Sequence, residues 1–307
     1  MQRRLIECVP NFSEGRDRGK VGAIVSAMES APGACVLDLH MDPDHNRSVV
    51  TLVGPPTAVA EAVLAGVGKA VELIDLNLHS GAHPRIGAAD VVPFVPLENV
   101  ELHECAAIAR WAGERIWRSY GVPVYLYGAA ALRPERRELP VVRRGQFEGL
   151  REQAPCDPGR RPDIGGPGLH PTAGAVAVGA RKFLIAYNVN LRGQDWEAAR
   201  RIAQAVRESS GGFRHVRAIG VRLESRGLVQ VSMNLTDFER TPLEALYEAV
   251  RREAARHGLA IAGSEIVGLI PRKAYELAPA FFQRCENFHP GVILENRLAE
   301  LESRKCW

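Results

Sequence analysis

An α+β fold of two ferredoxin-like (βαββαβ) subdomains, with mixed or antiparallel sheets and helices on the outer faces, is what this sequence predicts. Three observations carry the prediction. From Leu5 to Val95 the hydrophobic periodicity reads strand, helix, strand, strand, helix, strand, the split βαβ order. From Phe183 to Ile270 the same order recurs, in element type rather than in residue identity. Between them, residues 128–171 are crowded with Pro, Gly and Arg and keep helical character only over Arg144–Gln153. Subdomains are therefore expected at 1–183 and 184–307, with the boundary near Arg181–Leu184. Their sheets could face each other or pair in a dimer.

Each element follows from local chemistry. Leu5–Val9 is a strand, ended by Pro10-Asn11 and the polar Ser13-Glu14-Gly15. Asp17–Ser30 is a helix, with Val21, Ile24, Val25 and Met28 at helical spacing and a stop at Pro32-Gly33. Cys35–Leu39 is the second strand. The turn Asp42-Pro-Asp44-His-Asn46-Arg47 leads to the third, Ser48–Val53, which is rich in β-branched residues. Pro55-Pro56 opens a helix with Val59, Val63 and Val67 at four-residue steps. Strand Val91–Val95, a helix from Val100 to Tyr120 and strand Val122–Tyr127 follow. In 128–171 only Arg144–Gln153 has helical character, and a loop this long in a compact protein is usually functional or disordered. The second half reads as strand Phe183–Leu191, helix Gln194–Ser209 and the hairpin strands Val216–Leu223 and Val229–Leu235. Helix Pro242–His257 is expected to start with a capping box, Thr241 and Glu244, and with Pro at its first position. Strand Ile261–Ile270 and a helix near Lys273–Phe282 end the pattern.

Bulk chemistry excludes some functions. A net charge of +3 demands no polyanionic partner, so nucleic acid is not expected. No apolar run approaches the roughly 20 residues that cross a bilayer, and no secretory h-region follows Met1. The cysteines at 8, 35, 105, 156, 285 and 306 are scattered without a Cys-x-x-Cys pair, which predicts reduced thiols and a cytoplasmic protein.

The densest chemistry lies in His79-Ser-Gly-Ala-His83-Pro-Arg85-Ile-Gly87-Ala-Ala-Asp90. Gly81, Pro84 and Gly87 rule out a regular helix, so these side chains sit on a loop that feeds a strand. His79 and His83 are four apart, but no third ligand stands at a familiar distance, so no metal is expected. For His79 the simplest role is a hydrogen bond to loop backbone. His83, flanked by Pro84 and Arg85, is the expected general base, because imidazole titrates near neutrality. Asp42, Asp44, His45, Asn46 and Arg47 crowd a turn; they fit turn chemistry, and Arg47 equally fits a carboxylate clamp. The run Gly165-Gly166-Pro167-Gly168-Leu169-His170-Pro171-Thr172-Ala173-Gly174 could cradle a planar ligand or a phosphate, although neither a Walker A nor a dinucleotide fingerprint is present.

These blocks resemble the formiminotransferases. The matching residues are Glu7–Gly15, Asn46-Arg47, His83–Ala88 with Asp90-Val91 and Pro93-Phe94, Gly121–Gly128, Gly179–Leu184 and Val267–Leu269. The resemblance implies transfer of a formimino group between N-formimino-L-glutamate and tetrahydrofolate in histidine degradation, by a cytoplasmic homodimer. Tetrahydrofolate would be a co-substrate, and no metal would be used. The resemblance also makes His83 the catalytic base and Gly165–Gly174 the folate-binding loop. Bifunctional animal relatives continue into a cyclodeaminase, so transferase activity alone is expected here, with a separate cyclodeaminase as a conceivable partner.

Attack of an amine on the carbon of the protonated formimino amidine gives a tetrahedral carbon bearing three nitrogens. Such a site needs a proton acceptor and nearby carboxylates. His83 would relay the proton, with Asp90 or Asp42 orienting the ring or offsetting the amidinium charge. Arg47, Arg85 and Lys182 are the candidates for the carboxylates of glutamate and of the folate tail. Two other readings compete: a metal-dependent hydrolase using His79 and His83, and a non-catalytic folate-binding relative.

Overall fold

The computed structural model describes residues 3–303; Cys306 lies outside them. The chain divides into two compact units between Arg181 and Lys182.

In the first unit, Leu5–Cys8 (β1) and Asn11–Phe12 (β2) act as one interrupted strand, since both lie between the same two neighbours. Pro10 has no N–H to donate, and the ladder breaks there. Asp17 caps the helix Arg18–Glu29 (α1) by accepting from the backbone of Gly19 and Lys20. Strands Cys35–Asp42 (β3) and Arg47–Gly54 (β4) form a hairpin. Helix Pro56–Leu73 (α2) begins on its proline, and strand Ala89–Glu98 (β5) ends the motif. The spatial order β3, β4, β1/β2, β5 is fully antiparallel, as the βαββαβ reading requires.

Three further elements widen this sheet. Helix Leu102–Tyr120 (α3) stops at Gly121, whose φ of +63° suits glycine. Strand Val124–Gly128 (β6) forms the far edge. Short helices Leu139–Val142 (α4) and Gln146–Gln153 (α5) follow, and strand Val176–Ala180 (β7) runs parallel between β5 and β6. The sheet is therefore mixed. Strand β7 is absent from the sequence reading for a physical reason. Its five residues, Val-Ala-Val-Gly-Ala, are buried on both faces and show no alternation.

Helices α1, α2 and α3 cover one face, where Ile24, Val63, Val67 and Ile116 pack on Leu52, Val92 and Phe94. Beneath β5, β7 and β6, Val142 of α4 and Leu150 of α5 close over Val91, Tyr125, Tyr127 and Ala177. The proline-rich stretch is more ordered than its composition suggests. Besides α4 and α5 it holds a 3-10 turn at Pro134–Arg137, whose Arg136 pairs with buried Asp163 at 2.7 Å. Asp163 in turn accepts from the backbone of Leu126 at 2.8 Å, which pins the stretch to β6.

The second unit repeats the motif: Ile185–Arg192 (β8), Trp196–Val206 (α6), Val216–Leu223 (β9), Leu228–Leu235 (β10), Leu243–Arg256 (α7) and Ile261–Val267 (β11). Its four-stranded sheet, β11-β8-β10-β9, is entirely antiparallel. Helices Arg272–Leu277 (α8), Pro279–Gln283 (α9) and Leu294–Ser303 (α10) follow. Two expectations need correction here. The single helix near Lys273–Phe282 is two, because Pro279 cannot donate to the preceding turn. The Thr241–Glu244 box does not form: Thr241 Oγ1 donates to Asp237 O at 2.7 Å, while Glu244 pairs with Arg284 at 3.0 Å. Among the described residues no helix is long and apolar enough to cross a membrane.

Candidate active site

Three separate polar blocks meet at one end of the first sheet. A Cβ on Gly15 would stand 2.2 Å from Asp42 O and 2.4 Å from Arg47 N, so only glycine allows the first block against the 42–47 turn. Gly81 brings the histidine loop equally close, its virtual Cβ falling 2.3 Å from His45 O. Asn46 ties all three together, accepting from Gly15 N at 3.0 Å and donating to Ser80 O at 2.9 Å. Asp42 is buried and accepts from His45 N at 2.8 Å, which closes the turn.

The two histidines have different surroundings. His79 Nε2 lies 2.9 Å from Asn46 O, and its Nδ1 accepts from Arg85 Nε at 3.1 Å. A carbonyl only accepts, so Nε2 carries the hydrogen and both ring nitrogens are committed to protein partners. Arg85 then closes a two-pronged pair on Glu148, at 2.6 and 2.8 Å, and holds that carboxyl down to about 2. Its charge is balanced, and its work is to fasten the histidine loop to α5.

His83 is half-buried. Its Nδ1 lies 2.8 Å from Pro84 O, so in the neutral ring Nδ1 bears the hydrogen and Nε2 the lone pair. Burial first, and then the charges of Arg47, Arg143 and His45, push its pKa well below the ordinary 6.5. The His45 and His83 rings are 5.7 Å apart, centroid to centroid. A neutral imidazole with a free Nε2 lone pair is a proton acceptor at neutral pH.

Asp90 is the hub of a buried ion cluster. Its Oδ2 accepts from Arg47 Nη1 at 2.6 Å and also from Arg143 Nη2, while Oδ1 takes Ile86 N at 2.8 Å. Burial alone would raise its pKa, but Arg143 and Arg47 outweigh burial and hold it below the ordinary value. Burial draws Arg47 down to about 10, which leaves it charged at neutral pH. Arg47 also donates Nε to Asn11 Oδ1 at 3.0 Å.

The glycine segment reaches the same place. His170 and Gly174 bond each other in both directions, at 2.8 and 3.0 Å, closing a tight loop. Inside it, His170 Nδ1 accepts from Ala173 N at 3.0 Å. The loop is stitched to the histidine loop by Ala88 N to Ala173 O and Ala175 N to Ile86 O, both 2.9 Å. Leu76 N to Thr172 O, at 2.8 Å, fixes its other side. Gly165, Gly166, Pro167 and Pro171 are exposed, Gly168, Leu169 and Thr172 are half-buried, and Gly174 (φ +69°) is buried against Ile86 O.

With this geometry in place, comparison with known proteins is decisive. The formiminotransferase domain, N-terminal subdomain, matches residues 5–181, and the formiminotransferase domain matches 186–301. The chain belongs to the formiminotransferase family. It is similar to the glutamate formimidoyltransferase of Thermoplasma acidophilum, 45% identical over 96% of this chain and 97% of that one. That of Streptococcus pyogenes serotype M1 is 44% identical over 96% and 99%. The formimidoyltransferase-cyclodeaminase of Rattus norvegicus is 45% identical over 97% of this chain, which spans 56% of the rat protein. These likenesses make the chain a transferase, with formimino transfer as its class of chemistry.

Within this formiminotransferase, His83, Asp90, Asp42, Arg47, Arg85 and the end of the glycine segment all lie in the first unit. Lys182 is exposed and opens the second. Arg143 and Glu148 were missed by sequence reasoning. They come from α4, α5 and the link between them, more than fifty residues past Asp90, inside a stretch where arginines are too common for one to stand out. No group of three metal-ligating side chains is gathered among the described residues.

Proposed function

We propose that this protein transfers the formimino group between N-formimino-L-glutamate and tetrahydrofolate, giving 5-formimino-tetrahydrofolate and glutamate, in histidine degradation, with His83 as general base. The observation that carries this reading is the state of one ring. His83 is neutral, its tautomer is set by Pro84 O, and its Nε2 lone pair is left for a reacting nitrogen. The amine of tetrahydrofolate attacks the formimino carbon, forming a C–N bond and a tetrahedral carbon with three nitrogens. His83 takes the proton from the attacking nitrogen and returns it to the glutamate nitrogen, whose bond to carbon then breaks. Gly165–Gly174 is the proposed cradle for the folate, supported by its two backbone bonds to Leu76 and Ala88, with Ala175 bonding Ile86 just beyond it. The relatives' names supply the donor, and cytoplasmic action as a homodimer fits the same reading.

The test is an assay of N-formimino-L-glutamate with tetrahydrofolate, following 5-formimino-tetrahydrofolate. Wild-type protein should turn over, and His83→Ala should lose about two to four orders of magnitude in rate, the usual contribution of an acid–base group. A folded His83→Ala protein at wild-type rate refutes the mechanism.

A further inference from the structure

The cluster around Asp90 is not charge-balanced. Two guanidinium groups share one carboxylate oxygen, so Arg47, Asp90 and Arg143 together carry one positive charge in a setting where Asp90 is fully buried. Arg85 adds nothing to that surplus, because Glu148 balances it. The two arginines also differ. Arg47 is spent on Asn11 and Asp90, whereas Arg143 gives a hydrogen bond to Asp90 while its Nε is enclosed with no partner in the protein. An anion would balance the surplus charge, and the Arg143 side chain, 14% exposed, is the part of the cluster that solvent reaches most.

We infer that Arg143 binds the α-carboxylate of the formimino donor, the carboxylate on the carbon whose nitrogen carries the group being transferred. This rests on the formimino-transfer reading above and names the residue that holds its donor. Proximity selects that carboxylate. Arg47 and Arg143 both lie near enough to His83 to act on its ring, and His83 sits at the reacting carbon. From that carbon the α-carboxylate is three bonds away and the γ-carboxylate five, while the glutamyl tail of a folate lies beyond the pterin and an aromatic ring. Charge agrees as well. A donor with two carboxylates and one amidinium carries a net negative charge, matching the single surplus positive charge of the cluster.

Arg143→Gln is a clean perturbation, because Asp90 keeps Arg47 and no buried charge is left unpaired. The expected result is a rise of about 10- to 100-fold in KM for N-formimino-L-glutamate, with KM for tetrahydrofolate within twofold of wild type. A donor whose α-carboxylate is converted to an amide should be poor for wild type, and Arg143→Gln should no longer distinguish it from the acid. Arg143→Lys, which keeps the charge but not the fork, should fall between and guards against misfolding of the first variant. An unchanged donor KM, an unchanged preference for acid over amide, or a rise confined to tetrahydrofolate overturns the assignment. Calorimetric binding of N-formimino-L-glutamate to wild type and Arg143→Gln separates the two claims. Arg143-dependent binding without turnover keeps the clamp and sinks the transferase reading; binding that ignores Arg143 sinks the clamp.

Discussion

Asp90→Ala is the severest single test of how this site is built. The carboxylate is fully buried, and the side chains of Arg47 and Arg143 are only 8% and 14% exposed. Removing it strands two guanidinium groups and takes the acceptor from Ile86 N–H. Breaking a buried pair by deleting one partner costs about 3–5 kcal/mol. An orphaned buried N–H adds about 1–3 kcal/mol. Partial relaxation of the two arginines toward solvent trims the sum, so a loss of about 4–6 kcal/mol is expected. For a unit of this size that is a fall in Tm of roughly 10–20 °C. Urea unfolding followed by far-UV circular dichroism measures it. The same substitution in an Arg143→Gln background should cost less, since only one cation is then stranded. A loss below about 1 kcal/mol, or strict additivity of the two variants, would refute the view that Asp90 holds the cluster together.

Other consequences are quickly stated. Because His83 titrates well below 6.5, kcat/KM should hold level as pH falls through 6.5; an acidic limb at or above that value removes the neutral base. Stability should fall on acidification in two stages. His79 and His83 are kept neutral when folded, so below about pH 6.5 the unfolded chain takes up more protons and the folded state loses ground. Asp90, with its lowered pKa, adds stability above about pH 3.9 that is lost as pH drops through the folded value; a melting temperature flat from pH 7 to 3 contradicts both. Gly87→Ala places a Cβ 1.9 Å from Ala175 O and should lower Tm sharply. Gly168→Ala meets nothing within 4 Å and should move stability by no more than about 0.5 kcal/mol, while raising KM for tetrahydrofolate if the segment holds that ligand.

Periodicity made both βαββαβ motifs legible through helices with an apolar stripe, through strands of alternating exposure such as β9 and β11, and through β-branched apolar runs bounded by turn residues, such as β4. It failed at β7, where burial on both faces erases the alternation, and at Thr241, whose hydroxyl found a nearer backbone acceptor at Asp237. Within the site, the readable residues were those whose neighbours are restrictive: His83 beside Pro84, in a polar run that Gly81 and Gly87 keep from being a helix. Arg143 had no such neighbour. Its importance comes from meeting Asp90 across 53 residues, and charge pairing at that distance leaves no local spacing to recognise.

That pairing also sets the basicity of His83. After burial, the forces that lower its pKa are the positive charges of Arg47 and Arg143 and the neighbouring His45, while the bond to Pro84 O works the other way. Removing one cation must therefore let the ring hold its proton more tightly. In Arg143→Gln the His83 titration should move up toward 6.5, and the acidic limb of kcat/KM should move with it. Proton NMR of the imidazole signals, with the His83 resonance assigned by its loss in His83→Gln, reads the shift directly. Arg143→Lys should leave it near the wild-type position, because the charge is kept. A purely structural role for Arg143 predicts no such dependence on charge. An unmoved or lower His83 pKa in Arg143→Gln would mean that this cation does not govern the base, and that the ring owes its neutrality to burial alone.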